Sequence, residues 1–191
     1  MAAGVSDPAA PGLRSGAVAT PLGDLTIVCS ADGVVATFFG DEGSDPELDL
    51  VKRAGDGAGD RGAGGRGASG DQAAGAFVRA AQRETEGYFA GTRRGLSVPP
   101  DLTLVSGAFA RRVLEVVATI PYGELWTYGD VAGMAGSPRA ARAAGSALAG
   151  CPIELFVPCH RVVHAGGSIG GYGRHEDRKR WLLRHEGSAA S

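Results

Sequence analysis

A chain of 191 residues with 43% hydrophobic content can bury the core of one sizeable domain or two small ones. With 19 Lys and Arg against 21 Asp and Glu the formal charge is -2, which excludes a general pull toward nucleic acid, so an anionic partner has to be met by a local group of arginines. Three cysteines, Cys29, Cys151 and Cys159, none at a Cys-x-x-Cys spacing, exclude a secreted disulfide framework and point to a reducing, cytoplasmic setting.

Residues 1–15 are rich in Ala, Pro and Gly and read as a tail without a cationic, then apolar, leader pattern. No run approaches the ~18 apolar residues of a membrane span, so no membrane partner is expected. An N-terminal α/β domain is expected over 16–100. Within it, 25–29 and 34–39 are β-branched or aromatic runs, and Ala31, Asp32 and Gly33 form the turn of a hairpin. From 52 to 75 the composition collapses to Gly, Ala, Asp, Arg and Ser, which leaves no apolar period to offset ordering entropy, and an insertion without fixed structure is expected. The stretch AFVRAAQRETEGYFAG then predicts a helix that buries Phe77, Ala81 and Thr85 or Tyr88 and is closed by Gly91.

Helical signals concentrate in a C-terminal domain over 101–187. Ser106 can cap a helix with a stripe of Phe109, Val113, Val116 or Val117, and Ile120. Thr127 with Asp130 predicts a capping box opening a helix from Tyr128 to Ala135, stopped by Gly136; Ser137 and Pro138 predict a second helix running to Ala149, ended by Gly150. Two short helices around a glycine turn outline a helix-turn-helix.

The second helix of that pair departs from an ordinary recognition helix, whose polar side chains read base edges. SPRAARAAGSALAG is nearly all Ala, Gly and Ser, with Arg139 and Arg142 projecting. Such a surface suits close, shape-based contact in the minor groove, although small residues serve helix packing equally well. Arg142, a long cation on a smooth helix, can enter a base stack in place of a flipped nucleotide, a displacement that costs least at a damaged base.

In ELFVPCHRVVHAGGSIGGYG an apolar run ends at Pro158, and Cys159, His160 and Arg161 follow side by side before a glycine-rich loop. A thiol with pKa ~8.5 needs a nearby base or cation to act as a nucleophile. His160 is adjacent, but on an extended segment neighbours point to opposite faces, so a bridging water or a bend at Pro158 is required. The base needs an orienting acceptor, for which Glu186, Asp177 and Glu176 compete. Adjacent Cys159 and His160, with Cys151 far upstream, lack the spacing of a zinc knuckle. A buried structural cysteine is the plain alternative.

Pro158-Cys159-His160-Arg161-Val162, preceded by IPYGE, TYGDVA and ARAAG and followed by GGYG and RKRWLLRHEG, resembles the O6-alkylguanine-DNA alkyltransferase family from about Phe109 to Gly187; the N-terminal part agrees in TPLGDLTI and in general layout. The resemblance implies an α+β protein, with a small ribonuclease-H-like sheet-plus-helix domain followed by a winged helix-turn-helix alkyltransferase domain. It implies Cys159 as alkyl acceptor, His160 as a base acting through a water, Glu186 as its orienting carboxylate, and Tyr128 as the residue that helps rotate the nucleotide and protonates departing guanine. Arg142 fills the vacated stack, with Arg139, Ala140 and Gly145 also on the DNA. Leu148, Val162, Tyr172, Gly173 and Lys179 form the base pocket, Gly173 standing where relatives carry serine but keeping the backbone N–H.

The implied activity is stoichiometric removal of an alkyl group from O6-alkylguanine in duplex DNA, with no organic cofactor and no metal, by a monomer that can cluster on DNA. Two departures stand out. Cys151 replaces an asparagine whose amide bridges backbone groups, a structural position where a thiol is a weak partner; a loosened active-site turn with slower transfer is expected. Ala110 and Leu114 replace a Phe-Gln and Trp signature, with Leu114 expected to keep a buried contact. A non-catalytic lesion-binding protein on the same scaffold is the alternative. It is opposed by the presence of Cys159, and a Cys-His acyl hydrolase leaves Arg142 and its helix unexplained.

Overall fold

The computed structural model describes residues 12–40, 67–172 and 175–188, so most of the predicted tail and of the Gly-rich insertion, and Gly173, lie outside the described residues. The chain divides into two compact units, Met1–Leu104 and Val105–Ser191.

In the first unit, β1 (Arg14–Thr20), β2 (Gly23–Cys29) and β3 (Val34–Phe39) form an antiparallel sheet in the order β1-β2-β3. The expected hairpin is β2 and β3. Strand β1 was not predicted, because RSGAVAT is small and weakly apolar and only Val18 among its residues is buried; it begins at Arg14, so the predicted tail ends before residue 15. Register runs from Arg14 opposite Cys29 to Thr20 opposite Gly23, with an irregularity at Val28 and Cys29. Leu25, Ile27, Val28, Val34 and Val35 are buried, as strands covered by a helix require.

That helix, α1 (Gly67–Phe89), starts inside the stretch expected to lack structure. The correction has a simple cause: the last turns of the Gly/Ala-rich segment extend a stripe of Ala74, Val78, Ala81, Thr85 and Tyr88 whose burial outweighs weak local propensity. Val78 rather than Phe77 points inward; Phe77 is half-buried. The helix ends as expected at Gly91, φ 71°, with Thr92 N–H reaching back to Gly87 O at 3.0 Å. Glu84 fastens the segment beyond it, accepting from Arg93, from the Ser97 hydroxyl, and from the N–H groups of Ser97 at 2.5 Å and Val98 at 3.2 Å.

In the second unit, α2 (Ala108–Ala118) buries Val113, Leu114 and Val117. Ser106 does not cap it: Gly107, at φ 89°, is the N-cap and no side chain bonds the first turn. Leu114 is fully buried, as expected of the replaced aromatic position. Strand β4 (Trp126–Thr127) leads directly into α3 (Tyr128–Met134), whose capping box between Thr127 and Asp130 forms in both directions. Asp130 keeps an acidity stronger than usual through those bonds.

Helix α4 (Ala141–Ala149) starts later than predicted. Ser137 N–H is used by Ala132 O at 2.8 Å and Ser137 O takes Ala140 N–H at 2.9 Å, so Ser137, Pro138 and Arg139 belong to the turn and Ala140 is the N-cap. After a loop comes a 3₁₀ turn (Cys159–Arg161), then β5 (Val162–Val163), paired in parallel with β4, and finally α5 (Glu176–His185). Among the described residues no helix is long and apolar enough to cross a membrane.

Candidate active site

Pro158, at φ -77° and ψ 62°, breaks the apolar run, so Cys159 and His160 sit on a tight helical turn rather than on the extended segment the sequence suggested. Of the two alternatives the sequence left open, a bridging water or a bend at Pro158, the bend is present. Cys159 N–H is held by Val157 O at 2.7 Å and Arg161 N–H by Pro158 O at 2.9 Å, which fixes the turn on both sides of the thiol. Cys159 is 5% exposed and His160 fully buried.

Behind the turn lies a buried ionic network. The Glu186 carboxylate faces His160 Nε2 at 3.0 Å and accepts from Arg161 Nε at 2.9 Å and Nη2 at 2.7 Å, and from Gly123 N–H at 3.1 Å. Arg161 also donates to Ile120 O at 2.6 Å. Burial alone would raise the Glu186 pKa, but the His160 and Arg161 bonds hold it far below the usual carboxylate range. Burial lowers the His160 pKa against the opposing pull of Glu186, so its imidazole is neutral at pH 7. An ionised Glu186 accepts a hydrogen bond from Nε2–H, leaving the Nδ1 lone pair, which is buried with no partner among the described residues. Glu186 thus fills the acceptor role for which Asp177 and Glu176 competed; those two are exposed and lie 3.8 Å from Arg180. The role of Arg161 was missed, although its place next to His160 put a permanent cation beside the pair.

In front of the thiol is a cavity of about 370 Å³, within the range of small-ligand sites. One wall is the recognition-helix side: Tyr128, Ala141, Arg142, Gly145, Leu148 and Ala149; the other is Glu154, Cys159, His164, Gly171 and Tyr172. Gly145 and Tyr128 pack in ordinary contact, a Cβ on Gly145 meeting the ring at 3.6 Å. Gly170, at φ 70°, allows the loop to reach the Tyr128 hydroxyl, which a Cβ there would meet at 2.9 Å. The His164 ring lies 5.2 Å from that of Tyr128. Glu154 and His164 were not anticipated, since nothing in their spacing marks a pocket.

Two residues expected in the base pocket, Val162 and Lys179, do not line this cavity. Val162 is fully buried because β5 turns it into the interior; its carbonyl accepts from Lys179 Nζ at 2.6 Å. Burial lowers the Lys179 pKa to about 8. Arg139 and Ala140, expected on the DNA rather than in the pocket, stand in the turn ahead of α4. Arg142 lines the mouth and is exposed. Cys151 is not remote from the chemistry: its thiol hydrogen-bonds the Cys159 thiol, and this bond, then burial, raises the Cys159 pKa well above that of a free thiol. Burial, and then the charge of Cys159, also raises the Tyr128 pKa, so that phenol keeps its proton. Among the described residues no three His, Cys, Asp or Glu side chains gather as metal ligands.

Fold and site together define a helix-turn-helix protein that presents a thiol inside a cavity beside its recognition helix. The 6-O-methylguanine DNA methyltransferase DNA-binding domain family matches residues 108–188. A methylated-DNA–protein-cysteine methyltransferase of Methanosarcina acetivorans is 43% identical over 112 residues, 59% of this chain and 70% of that one. The Mycobacterium bovis protein of the same name is 45% identical over 116 residues, 61% and 68% of the two chains. A crystal structure of Mycobacterium tuberculosis OGT in complex with DNA is 31% identical with a TM-score of 0.67, covering 89% of this chain and 90% of that one. The chain belongs to the methylated-DNA–protein-cysteine methyltransferase family.

Proposed function

We propose that this protein repairs O6-alkylguanine in duplex DNA by transferring the alkyl group to Cys159, once per molecule. The observation that carries the reading is the placement of Cys159 between a cavity walled by the recognition helix and a buried relay of His160, Glu186 and Arg161. A neutral imidazole with Nδ1 free is suited to take the thiol proton, directly or through one water, and the Glu186 carboxylate then stabilises the imidazolium. Lys179, with its cation behind the turn, favours the thiolate.

Sulfur then attacks the alkyl carbon, the C–O bond breaks, and guanine leaves as a neutral base by taking the proton that the half-buried Tyr128 retains. Arg142, exposed at the mouth, occupies the stack left by the flipped nucleotide. The product is a thioether, and no described residue of the cavity is arranged to expel its sulfur, so the protein is consumed. Three free cysteines suit a reducing cytoplasm. A lesion-binding protein without transfer has no use for the relay behind the thiol.

The test is mass spectrometry of intact protein and peptides after incubation with a duplex carrying one O6-methylguanine. A single methyl on the Cys159 peptide with unmodified guanine regenerated, and none in Cys159→Ala, is the expected result; tight lesion binding without a mass change would overturn it.

A further inference from the structure

As a thiol, Cys151 is a weak hydrogen-bond partner for the backbone around it. What it offers is chemistry. Cys151 follows Gly150, the C-cap of α4, and its N–H is held by Leu148 O at 3.2 Å. Leu148 and Ala149 wall the same cavity as Cys159. The intervening chain doubles back: Val157 N–H bonds Ile153 O at 3.0 Å, Phe156 N–H bonds Glu154 O at 3.0 Å, and Leu155 adopts φ 73°. The two ends of this short loop bring the two thiols into hydrogen-bond contact, and Cys151 is half-buried.

We propose that Cys151 and Cys159 are a modification site, an oxidisable pair that hydrogen peroxide joins as a disulfide, withdrawing the alkyl acceptor reversibly. The Cys151 thiolate attacks a peroxide oxygen; the S–O bond forms, the O–O bond breaks, and hydroxide leaves as water after taking a proton. Cys159, its proton passed to His160, attacks the sulfenic sulfur; the S–S bond forms, the S–O bond breaks, and a second water leaves. Two thiols lose two hydrogens and one peroxide becomes two waters. A short loop between the sulfurs favours closure over further oxidation, and a dithiol reductant reverses it. Cys29, fully buried in the first unit, serves as the internal control.

The consequence for repair rests on the alkyl-transfer reading; the disulfide does not. The full chain is treated with hydrogen peroxide, mapped as non-reduced peptides, and assayed on the O6-methylguanine duplex before and after dithiothreitol. The expected result is loss of two hydrogens, a peptide joining Cys151 to Cys159, Cys29 free, and transfer lost by at least about tenfold but restored by reductant. In Cys151→Ser and Cys151→Asn, each compared with its own untreated rate, peroxide drives Cys159 to the sulfinic acid and dithiothreitol restores little. Sulfinic Cys159 beside a free Cys151 in the native chain, or equal recovery in the variants, would overturn the proposal. If neither variant folds, the native peptide map decides alone. A cross-link in a protein that never transfers methyl would sink the alkyl-transfer reading only, whereas transfer without a cross-link would sink only this one.

Discussion

Cys29 and Cys159 are both buried thiols, and they separate the two units of the molecule. Cys29 lies at the end of β2 among apolar neighbours, where burial pushes its pKa to about 12 and leaves it inert. Cys159 is as deeply placed but opens on a cavity, with a second thiol against it and a cation, an imidazole and a carboxylate behind it. Burial silences a thiol in one unit and sets the stage for reaction in the other; the difference lies in the polar groups buried alongside. The first unit holds its form with a sheet and an apolar helix stripe. The second encloses His160, Arg161, Arg178, Lys179 and Glu186, a costly set for a small domain and one expected where chemistry occurs.

The contrast is broken most severely by Glu186→Ala, which strands Arg161 and His160 in the interior. The second unit should lose about 3–5 kcal/mol in urea denaturation. Methyl transfer should slow as well, since His160 loses its orienting partner. Arg142→Ala removes no buried group: stability should be unchanged, while transfer from duplex slows about tenfold to a hundredfold, a part of the few kcal/mol that unpairing costs. Transfer from a single-stranded substrate should hardly change, and equal slowing on both would contradict the stacking role. Gly33→Ala is the converse case. A Cβ there would meet Pro99 O at 2.1 Å, so the first unit should lose about 1–3 kcal/mol while the chemistry of Cys159 persists at temperatures where the unit stays folded.

The mildest probe is acid. The lowered His160 pKa means that the unfolded chain binds a proton below about pH 6.5 that the folded chain refuses, so the stability of the second unit is full above that pH and falls below it. Glu186, also lowered, adds a further loss of the same sign below about pH 4.3. Unfolding followed by Trp126 and Trp181 fluorescence should therefore shift with acid in the native chain; in Glu186→Gln the part below about pH 4.3 should vanish, while the part set by His160 persists.

Local signals were legible where one residue dictates one contact. The Thr127–Asp130 capping box, the stops at Gly91 and Gly136, and the β2–β3 hairpin all follow from short-range chemistry. What escaped depends on distant partners. Strand β1 exists because β2 offers an edge, and α1 begins at Gly67 because a sheet covers its stripe. The sequence placed Glu186 among three carboxylates, and only the resemblance chose it; the fork of Arg161 that fixes it spans 25 residues. The late start of α4 followed from backbone bonds around Ser137 that no propensity records.

The two-residue ladder of β4 and β5 has a consequence for accuracy. Thr127 pairs with Val163, one residue before Tyr128 and two after Arg161, so phenol and sulfur are mounted on the same small block. A tool whose jaws share one casting needs no closing motion to hold its gap. Selection of a damaged base would then rest on whether the base fits a gauge already set, and a substitution that slackens the ladder should blur that gauge without touching either jaw.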